Sequence, residues 1–191
     1  MSRLTGKTIT YVMNRESSGC FGAATEALTG VNQDIIHTGL ASLGLYDPSE
    51  GVTIVPAKIY TRALGNTAVS FGDILPLDDT AFDEDPRLPE QRLATLREAL
   101  TRDDMRGALL LYPCRRYPDQ APFAHFTAVV PAADATTEAV LAVMDPSELT
   151  DVATGKPFGV VFPKTQAEML RMLQPAEEFG IPVSAYSVHL S

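Results

Sequence analysis

Residues 123–145 read FAHFTAVVPAADATTEAVLAVMD, and this stretch decides the class of fold. Residues 123–130 and 138–144 are two apolar runs in which valine and alanine recur, and small and polar residues separate them. Apolar runs on either side of a polar turn are typical of β-strands joined as a hairpin. The stretch therefore predicts two neighbouring antiparallel strands.

The same hairpin predicts a contact between His125 in its first strand and Asp145 at the end of its second. In an antiparallel hairpin, the residue numbers of every directly opposed pair add up to the same value. A turn centred on Ala135 gives the value 270. His125 would then stand opposite Asp145, with the two Cβ atoms about 5 Å apart, whereas a slip of one residue would separate them. A neighbouring carboxylate orients an imidazole and stabilises its charged form. The alternative is a structural histidine and an ordinary Asp-Pro turn.

The segments outside the hairpin predict a mixture of helices and strands. Helical patterns cover residues 20–28, 90–102 and 165–173, and a further helix begins at Asn32 or Asp34 and ends near Gly44. Extended patterns cover residues 8–13, 52–60, 68–75, 107–112, 159–162 and 181–190. Helices dominate the first quarter of the chain and antiparallel strands the second half. We therefore expect a single α+β domain over residues 1–191.

The charge and composition argue against several functional classes. The chain of 191 residues carries 24 Asp and Glu against 15 Lys and Arg, a formal net charge of -9, whereas nucleic-acid binding needs a basic face. Its apolar runs are far shorter than the roughly 20 residues of a membrane span. The first residues lack the apolar core of a secretory signal. We expect a cytoplasmic protein that binds neither nucleic acid nor a membrane.

Cysteine and histidine are scarce, which limits the possible reactive groups. The chain has 2 cysteines and 3 histidines, too few for a disulfide framework or a four-thiolate zinc site. No Cys or His pair has the spacing of metal ligands, so we expect no metal and no cofactor. Cys114 is a subordinate candidate nucleophile because no helix begins after it. His37 and His189 are expected to be structural.

Cys20 is the main candidate nucleophile because it stands at the predicted start of a helix. The helix dipole and the unpaired backbone N–H groups there lower the pKa of a thiol. Asn14, six residues upstream, could supply a side-chain amide to hold an oxyanion together with the backbone N–H of Cys20. The alternatives are a buried structural cysteine and a plain turn asparagine. Cys20, His125 and Asp145 together favour a Cys-His-Asp catalytic group.

Three stretches carry a resemblance to a known family: residues 14–28, residues 124–130 and residues 143–146, which end in an Asp-Pro pair. They resemble papain-like cysteine enzymes, nearest to the phytochelatin-synthase-like and bacterial double-glycine-peptidase-like branches. The resemblance implies a papain-like fold in which the nucleophile helix packs on a mainly antiparallel sheet. The chain departs from the pattern at Asn14, where those families use Gln, and at Phe21, where a glycine usually follows the cysteine directly.

The resemblance also implies an acyl-enzyme mechanism. Cys20 would attack an amide, ester or thioester carbonyl, His125 would transfer the proton, and Asp145 would orient His125. Asn14 and the Cys20 N–H would hold the oxyanion. An amine acceptor would make the protein an acyltransferase or amide-forming enzyme acting on a small-molecule or peptide-like acyl substrate, free or carrier-bound. A water acceptor would make it a cysteine peptidase or glutamine deamidase. A third alternative is a non-catalytic binding domain with an inert Cys20.

Four further residues are expected to contact the substrate. Ser18 and Phe21 flank Cys20 in sequence, and Arg115 and Arg116 could bind a carboxylate or phosphate unless they are simply solvated. Much of the negative charge lies in an acidic loop at residues 78–85. With Arg15 also near Cys20 in sequence, we expect a locally basic entrance suited to an anionic substrate. The oligomeric state stays open.

Overall fold

The computed structural model describes residues 7, 9–12, 14–15, 18–77, 88–115, 119–132, 138–146 and 162–191. Its helices are α1 (Cys20–Thr29), α2 (Gln33–Ser42), α3 (Ala57–Ala63), α4 (Pro89–Leu100) and α5 (Gln166–Met172), with a short 3-10 turn at Glu177–Phe179. Its strands are β1 (Tyr46–Asp47), β2 (Gly51–Val52), β3 (Val69–Leu75), β4 (Gly107–Cys114), β5 (Phe123–Pro131), β6 (Ala139–Met144), β7 (Phe162–Thr165) and β8 (Ser184–Leu190). Among the described residues, no helix is long and apolar enough to span a membrane.

Six of the strands form one sheet in the order β3-β8-β4-β5-β6-β7, and every neighbouring pair is antiparallel. Strands β1 and β2 pair separately as a small hairpin. The expected α+β class with a mainly antiparallel sheet is therefore confirmed. Strand β8 lies between the edge strand β3 and β4, so it is paired on both sides.

The sheet has an apolar core on both faces because side chains alternate along its strands. On one face, Leu109, Leu111 and Phe126 pack with residues of α1, α2 and α3. On the other face, Leu110 and Val129 pack with residues of α4 and α5. Helix α1 lies against β4, β5 and β8, which holds its first residue close to the start of β5.

Helix α1 begins at Cys20, as the sequence predicts, and ends at Gly30. Gly30 has φ 73°, the left-handed conformation that favours glycine, and its N–H donates to Glu26 O at 2.7 Å. No side chain caps the other end at Gly19, and the first turn contains no acidic residue. The positive end of the helix dipole is therefore not neutralised within α1, so it favours a negative charge at Cys20.

Two other helix starts also follow the sequence prediction. The Asn32 side chain caps α2 by accepting from the Asp34 N–H at 2.8 Å. Thr165 and Glu168 form the predicted capping box at the start of α5. The acidic loop at residues 78–85 and the first part of the strand expected at 159–162 lie outside the described residues.

The prediction of an extended segment at residues 52–60 is wrong beyond residue 56. Residues from Ala57 onward form α3, whose first N–H donates to the Asp73 carboxylate of β3 at 3.0 Å. This cap comes from a residue far along the chain, and it replaces a local capping side chain. Burial of Tyr60 in the core stabilises the helix further.

The strand expected at residues 8–13 is also wrong where the structure describes it. Residues 9–12 join no strand of the sheet. The Thr10 N–H instead donates to Ala27 O of α1 at 3.1 Å, and Ile9 and Val12 pack against the core beside that helix. The Thr10 N–H therefore donates to a helix carbonyl and not to a neighbouring strand.

The register of the β5–β6 hairpin differs from the predicted one. Val129 pairs with Val143, so opposed residues share the sum 272 rather than 270. If this register is extended beyond the end of β6, Asp145 lies opposite Thr127. His125 is then the diagonal neighbour of Asp145. A shift of two residues preserves the side-chain face, whereas a shift of one reverses it. The predicted turn centre, Ala135, lies outside the described residues.

Close packing of α1 on the sheet depends on Gly107 in β4. A Cβ atom at this position would lie 2.6 Å from Leu28 Cδ2 and 2.9 Å from Val129 O. We expect Gly107→Ala to lower the free energy of unfolding by about 1–3 kcal/mol, the typical cost of overpacking, as measured by urea denaturation. Gly65→Ala is the matched control, because its Cβ would approach the nearest atom only to 3.4 Å. Equal stabilities of the two variants would contradict this account of the packing.

Candidate active site

Three elements bring Cys20, His125 and Asp145 together. Cys20 is the first residue of α1, His125 lies near the start of β5, and Asp145 follows the last residue of β6. Contact between Phe21 and Phe126, whose ring centroids are 5.0 Å apart, holds the start of α1 against β5. The three side chains predicted from the sequence to act together are therefore neighbours.

The His125 ring is held by Asp145 and by two aromatic rings. Its Nε2 lies 2.8 Å from Asp145 Oδ1, and its side chain is 2% exposed against 18% for Asp145. The rings of Tyr112 and Phe123 meet it at 67°, with centroids 5.9 and 5.6 Å away. Burial would lower the pKa of His125, but the hydrogen bonds and charges of Asp145 and Cys20 outweigh it and raise the pKa to about 9.

The Cys20 thiol lies close enough to His125 for the imidazole to act on the pKa of the thiol. Because Nε2 of the imidazole is engaged by Asp145, the nitrogen available to the thiol is Nδ1. Burial would raise the pKa of Cys20, yet the hydrogen bond and charge of His125 and the backbone of Phe126 and Phe21 lower it below the usual value. A lowered thiol pKa beside a raised imidazole pKa favours proton transfer from the thiol to the imidazole, which is the change that activates a cysteine nucleophile.

Asn14 lines the same pocket as Cys20 and His125. Its backbone N–H donates to Pro146 O at 3.1 Å, so Asn14 is tied to the residue directly after Asp145. Its side-chain Oδ1 is buried and has no hydrogen-bond partner in the described part of the chain. The backbone thus fixes Asn14 beside the site, where its side-chain Nδ2 is the group that would donate to an oxyanion.

The pocket at these residues has a volume of about 270 Å³. A water molecule occupies about 30 Å³ in the liquid, so the space is that of roughly nine waters, enough for a small acyl group. Its described lining consists of Asn14, Ser18, Cys20, Glu50, Gly51, Val52, Ile54, Phe123, Ala124, His125 and Phe126. Residues 50–54 form one wall and the start of β5 another.

The loop before Cys20 is tied to the β1–β2 hairpin. Ser18, which lines the pocket as its substrate role would require, donates its hydroxyl hydrogen bond to Pro48 O. Gly51 has φ 92°, and a Cβ at this position would lie 3.4 Å from Ser18. Glycine therefore serves the left-handed backbone conformation at this wall, and the Ser18 contact is an ordinary van der Waals distance.

The other expected substrate contacts are corrected by the structure. Phe21 is 0% exposed and packs among the rings of Tyr60, Phe71 and Phe126, so its predicted contact with substrate is wrong. Apolar burial of the ring outweighs its nearness to Cys20 in sequence.

The described arginines do not form the basic entrance that the sequence predicts. Arg115 is not among the described residues that line the pocket, and its guanidinium lies 5.8 Å from the Phe179 ring centroid. Arg15 forms a 2.6 Å ion pair with Asp34. Arg116 lies outside the described residues. Besides His125, the ionic side chain in the described lining belongs to Glu50.

The sequence reasoning missed the wall formed by residues 50–54. The Asp-Pro-Ser-Glu-Gly run at residues 47–51 is a recognisable turn signal. It indicates where the chain reverses but not which loop it will face. The nearness of this turn to Cys20 arises only from the packing of the hairpin on the Ser18 loop.

The remaining cysteine and histidines have structural surroundings. Cys114 ends β4 opposite Phe123 and packs against the second core face. His37 stacks on Tyr46, with ring centroids 4.2 Å apart. His189 lies within hydrogen-bond distance of Asp104 O at 2.8 Å. Within the described ranges, no group of three or more His, Cys, Asp or Glu side chains is arranged to hold a metal ion.

Comparison with known proteins adds no assignment. No model of a known protein family matches the chain, and no curated protein is significantly similar to it. Function must therefore be argued from the site itself.

Asp145→Asn is expected to slow the alkylation of Cys20 at neutral pH by about threefold to tenfold. Loss of the carboxylate lowers the pKa of His125, so less imidazolium faces the thiolate, and the pKa of Cys20 rises towards that of an ordinary thiol. Iodoacetamide rates measured against pH in a Cys114→Ser background test this. Asp104→Asn, at the remote pair with His189, is the matched control. Identical pH profiles for Asp145→Asn and the parent would refute the coupling.

Proposed function

We propose that this protein is a cysteine acyl-transfer enzyme that works through a covalent thioester and transfers the acyl group to an amine. One observation carries this function. The imidazole of His125, bonded to Asp145 at 2.8 Å, lies beside a thiol at a helix start, and both residues line one pocket. A nucleophile, its base and the group that orients the base thus form a continuous chain.

In the acylation step, Cys20 Sγ attacks the carbonyl carbon of the donor and forms a tetrahedral intermediate. The Cys20 backbone N–H and the Asn14 amide hold the negative oxygen. His125, as imidazolium, gives its proton to the leaving group as the carbon–leaving-group bond breaks. The product is a thioester on Cys20 and a neutral His125.

In the transfer step, neutral His125 takes a proton from the acceptor as the acceptor attacks the thioester carbonyl. Collapse of the second tetrahedral intermediate releases Cys20 as thiolate and restores the imidazolium. An amine acceptor yields an amide, whereas water yields a free acid. Val52, Ile54, Phe123 and Ala124 give the pocket apolar surface against which an acyl group can pack.

The same proposal includes a papain-like arrangement and a small acyl substrate. In support, the nucleophile helix packs on an antiparallel sheet whose adjacent strands carry the histidine and lead to the aspartate. The 270 Å³ pocket suits an acyl group of amino-acid size, free or attached to a carrier protein. We propose that the reaction takes place in the cytoplasm, where a reactive thiol stays reduced.

Intact-protein mass spectrometry with a panel of small acyl thioesters and activated amides tests this function. We expect an increase in mass equal to the acyl group in the parent and in Cys114→Ser, and none in Cys20→Ser. Addition of amines should remove the adduct faster than buffer alone. Absence of any adduct, together with an ordinary thiol pKa for Cys20, would favour a non-catalytic binding domain. Faster removal by water than by amines would indicate a hydrolase.

A further inference from the structure

The ionic balance of the pocket points to the charge of its substrate. Among the described residues that line the pocket, Glu50 carries a carboxylate and no lysine or arginine is present. We infer that Glu50 binds a positively charged group, an ammonium or guanidinium, on the acyl group that Cys20 receives, an inference that rests on the proposed acyl transfer. This reverses the anionic substrate expected from the sequence.

The backbone at Glu50 is fixed relative to Cys20. Glu50 lies in the turn between β1 and β2, and its N–H donates to the backbone oxygen of Asp47 at 3.3 Å. The next residue, Gly51, packs against Ser18, two positions before the nucleophile. The Ser18 hydroxyl donates to Pro48 O of the same turn. The turn that carries the carboxylate is thus bound to the loop that carries the thiol.

The Glu50 carboxylate is not balanced by a protein cation in the described part of the chain, where no Lys or Arg lies within ion-pair distance of it. The two described arginines nearest in sequence to the site residues have other partners: Arg15 pairs with Asp34, and Arg115 lies over Phe179. Asp47, at the other end of the same turn, adds negative charge. Hydrogen bonds from the Ser49 side chain and backbone lower the pKa of Asp47, which keeps it ionised.

The Glu50 carboxylate attracts a cation that enters the pocket and repels an anion. Because Glu50 is exposed, salt in the solvent screens both effects. The net charge of -9 for the whole chain acts in the same direction. We assign the cation to the acyl group because Glu50 lines the pocket into which Cys20 opens, and the acyl group occupies that pocket once it is bonded to Sγ.

Thiol reagents that differ only in charge test this inference without the natural substrate. In a Cys114→Ser background, Cys20 is treated with the 2-trimethylammonioethyl and 2-sulfonatoethyl methanethiosulfonates. In each case Sγ attacks the reagent sulfur, a disulfide forms and methanesulfinate leaves with the electron pair. For each variant, the rate with each charged reagent is divided by the rate with neutral methyl methanethiosulfonate. This ratio is then divided by the same ratio measured for free cysteine.

We expect the cationic reagent to react faster than the anionic one, and Glu50→Gln to reduce this preference by about threefold to tenfold. Glu50→Lys should reduce it further. Glu98→Gln is the matched control, because Glu98 is an exposed carboxylate on α4, across the sheet from the site. An equal preference in Glu50→Gln and the parent, or an equal loss in Glu98→Gln, would overturn the inference.

The same data separate this inference from the proposed function. If Cys20 reacts with the neutral reagent no faster than an ordinary thiol across the pH range, acyl transfer fails as a function. The charge preference is a ratio, so it can be lost while the thiol stays reactive. That outcome would refute the role of Glu50 alone.

Discussion

His125→Ala is expected to slow acylation of Cys20 by about a hundredfold to ten-thousandfold at neutral pH. The imidazole supplies both the charge that holds Cys20 as thiolate and the proton that the leaving group needs. Without it, the thiol keeps only the helix start and two backbone hydrogen bonds to oppose the effect of burial. We expect its pKa to rise above the usual value, because burial then dominates.

The measurement is the rate of adduct formation by mass spectrometry, combined with iodoacetamide alkylation against pH. His189→Ala is the matched control because His189 lies on β8 and contacts Asp104, outside the described pocket lining. A His125→Ala protein with an unchanged thiol pKa and an unchanged acylation rate would remove His125 from the reaction. Circular dichroism of both variants checks that the fold persists.

Asn14→Ala is expected to slow acylation by about a hundredfold to a thousandfold, the usual effect of losing one oxyanion donor. The pKa of Cys20 should stay the same, because Asn14 is not among the groups that shift it. The backbone bond from Asn14 to Pro146 survives the substitution, so the site keeps its anchor. A slower chemical step with an unchanged thiol pKa is the signature of oxyanion stabilisation rather than of nucleophile activation.

Rescue by a longer amide makes this test specific. Asn14→Gln keeps the amide and should recover part of the lost rate, whereas Asn14→Ala should not. Asn32→Ala, which removes the cap of α2, controls for general destabilisation. If Asn14→Ala changes the thiol pKa as much as the acylation rate, Asn14 positions the nucleophile and does not hold the oxyanion.

Local sequence signals predicted several of the elements that carry the site. The start of α1 at Cys20, its end at Gly30 and the strands β5 and β6 follow from capping, glycine conformation and apolar runs. Each of these signals acts between residues close together in the chain. Elements of this kind are therefore readable without knowledge of the fold.

Other predictions were wrong where distant residues decide the outcome. Helix α3 takes its cap from Asp73, and residues 9–12 bond to α1 instead of a strand. Phe21 enters an aromatic cluster assembled from three separate elements. In each case the deciding energy is long-range burial or a long-range hydrogen bond, to which local propensity contributes little.

The hairpin at residues 123–145 illustrates the division between sequence and structure. By itself, the sequence determined two antiparallel strands, with a histidine in the first and an aspartate directly after the second, because apolar runs on either side of a polar stretch favour a hairpin. Only the tertiary structure decided the register, the diagonal contact of His125 with Asp145, and the nearness of Cys20 and Glu50. These depend on how α1 and the β1–β2 turn pack on the sheet, and packing between distant segments is not encoded in any one stretch.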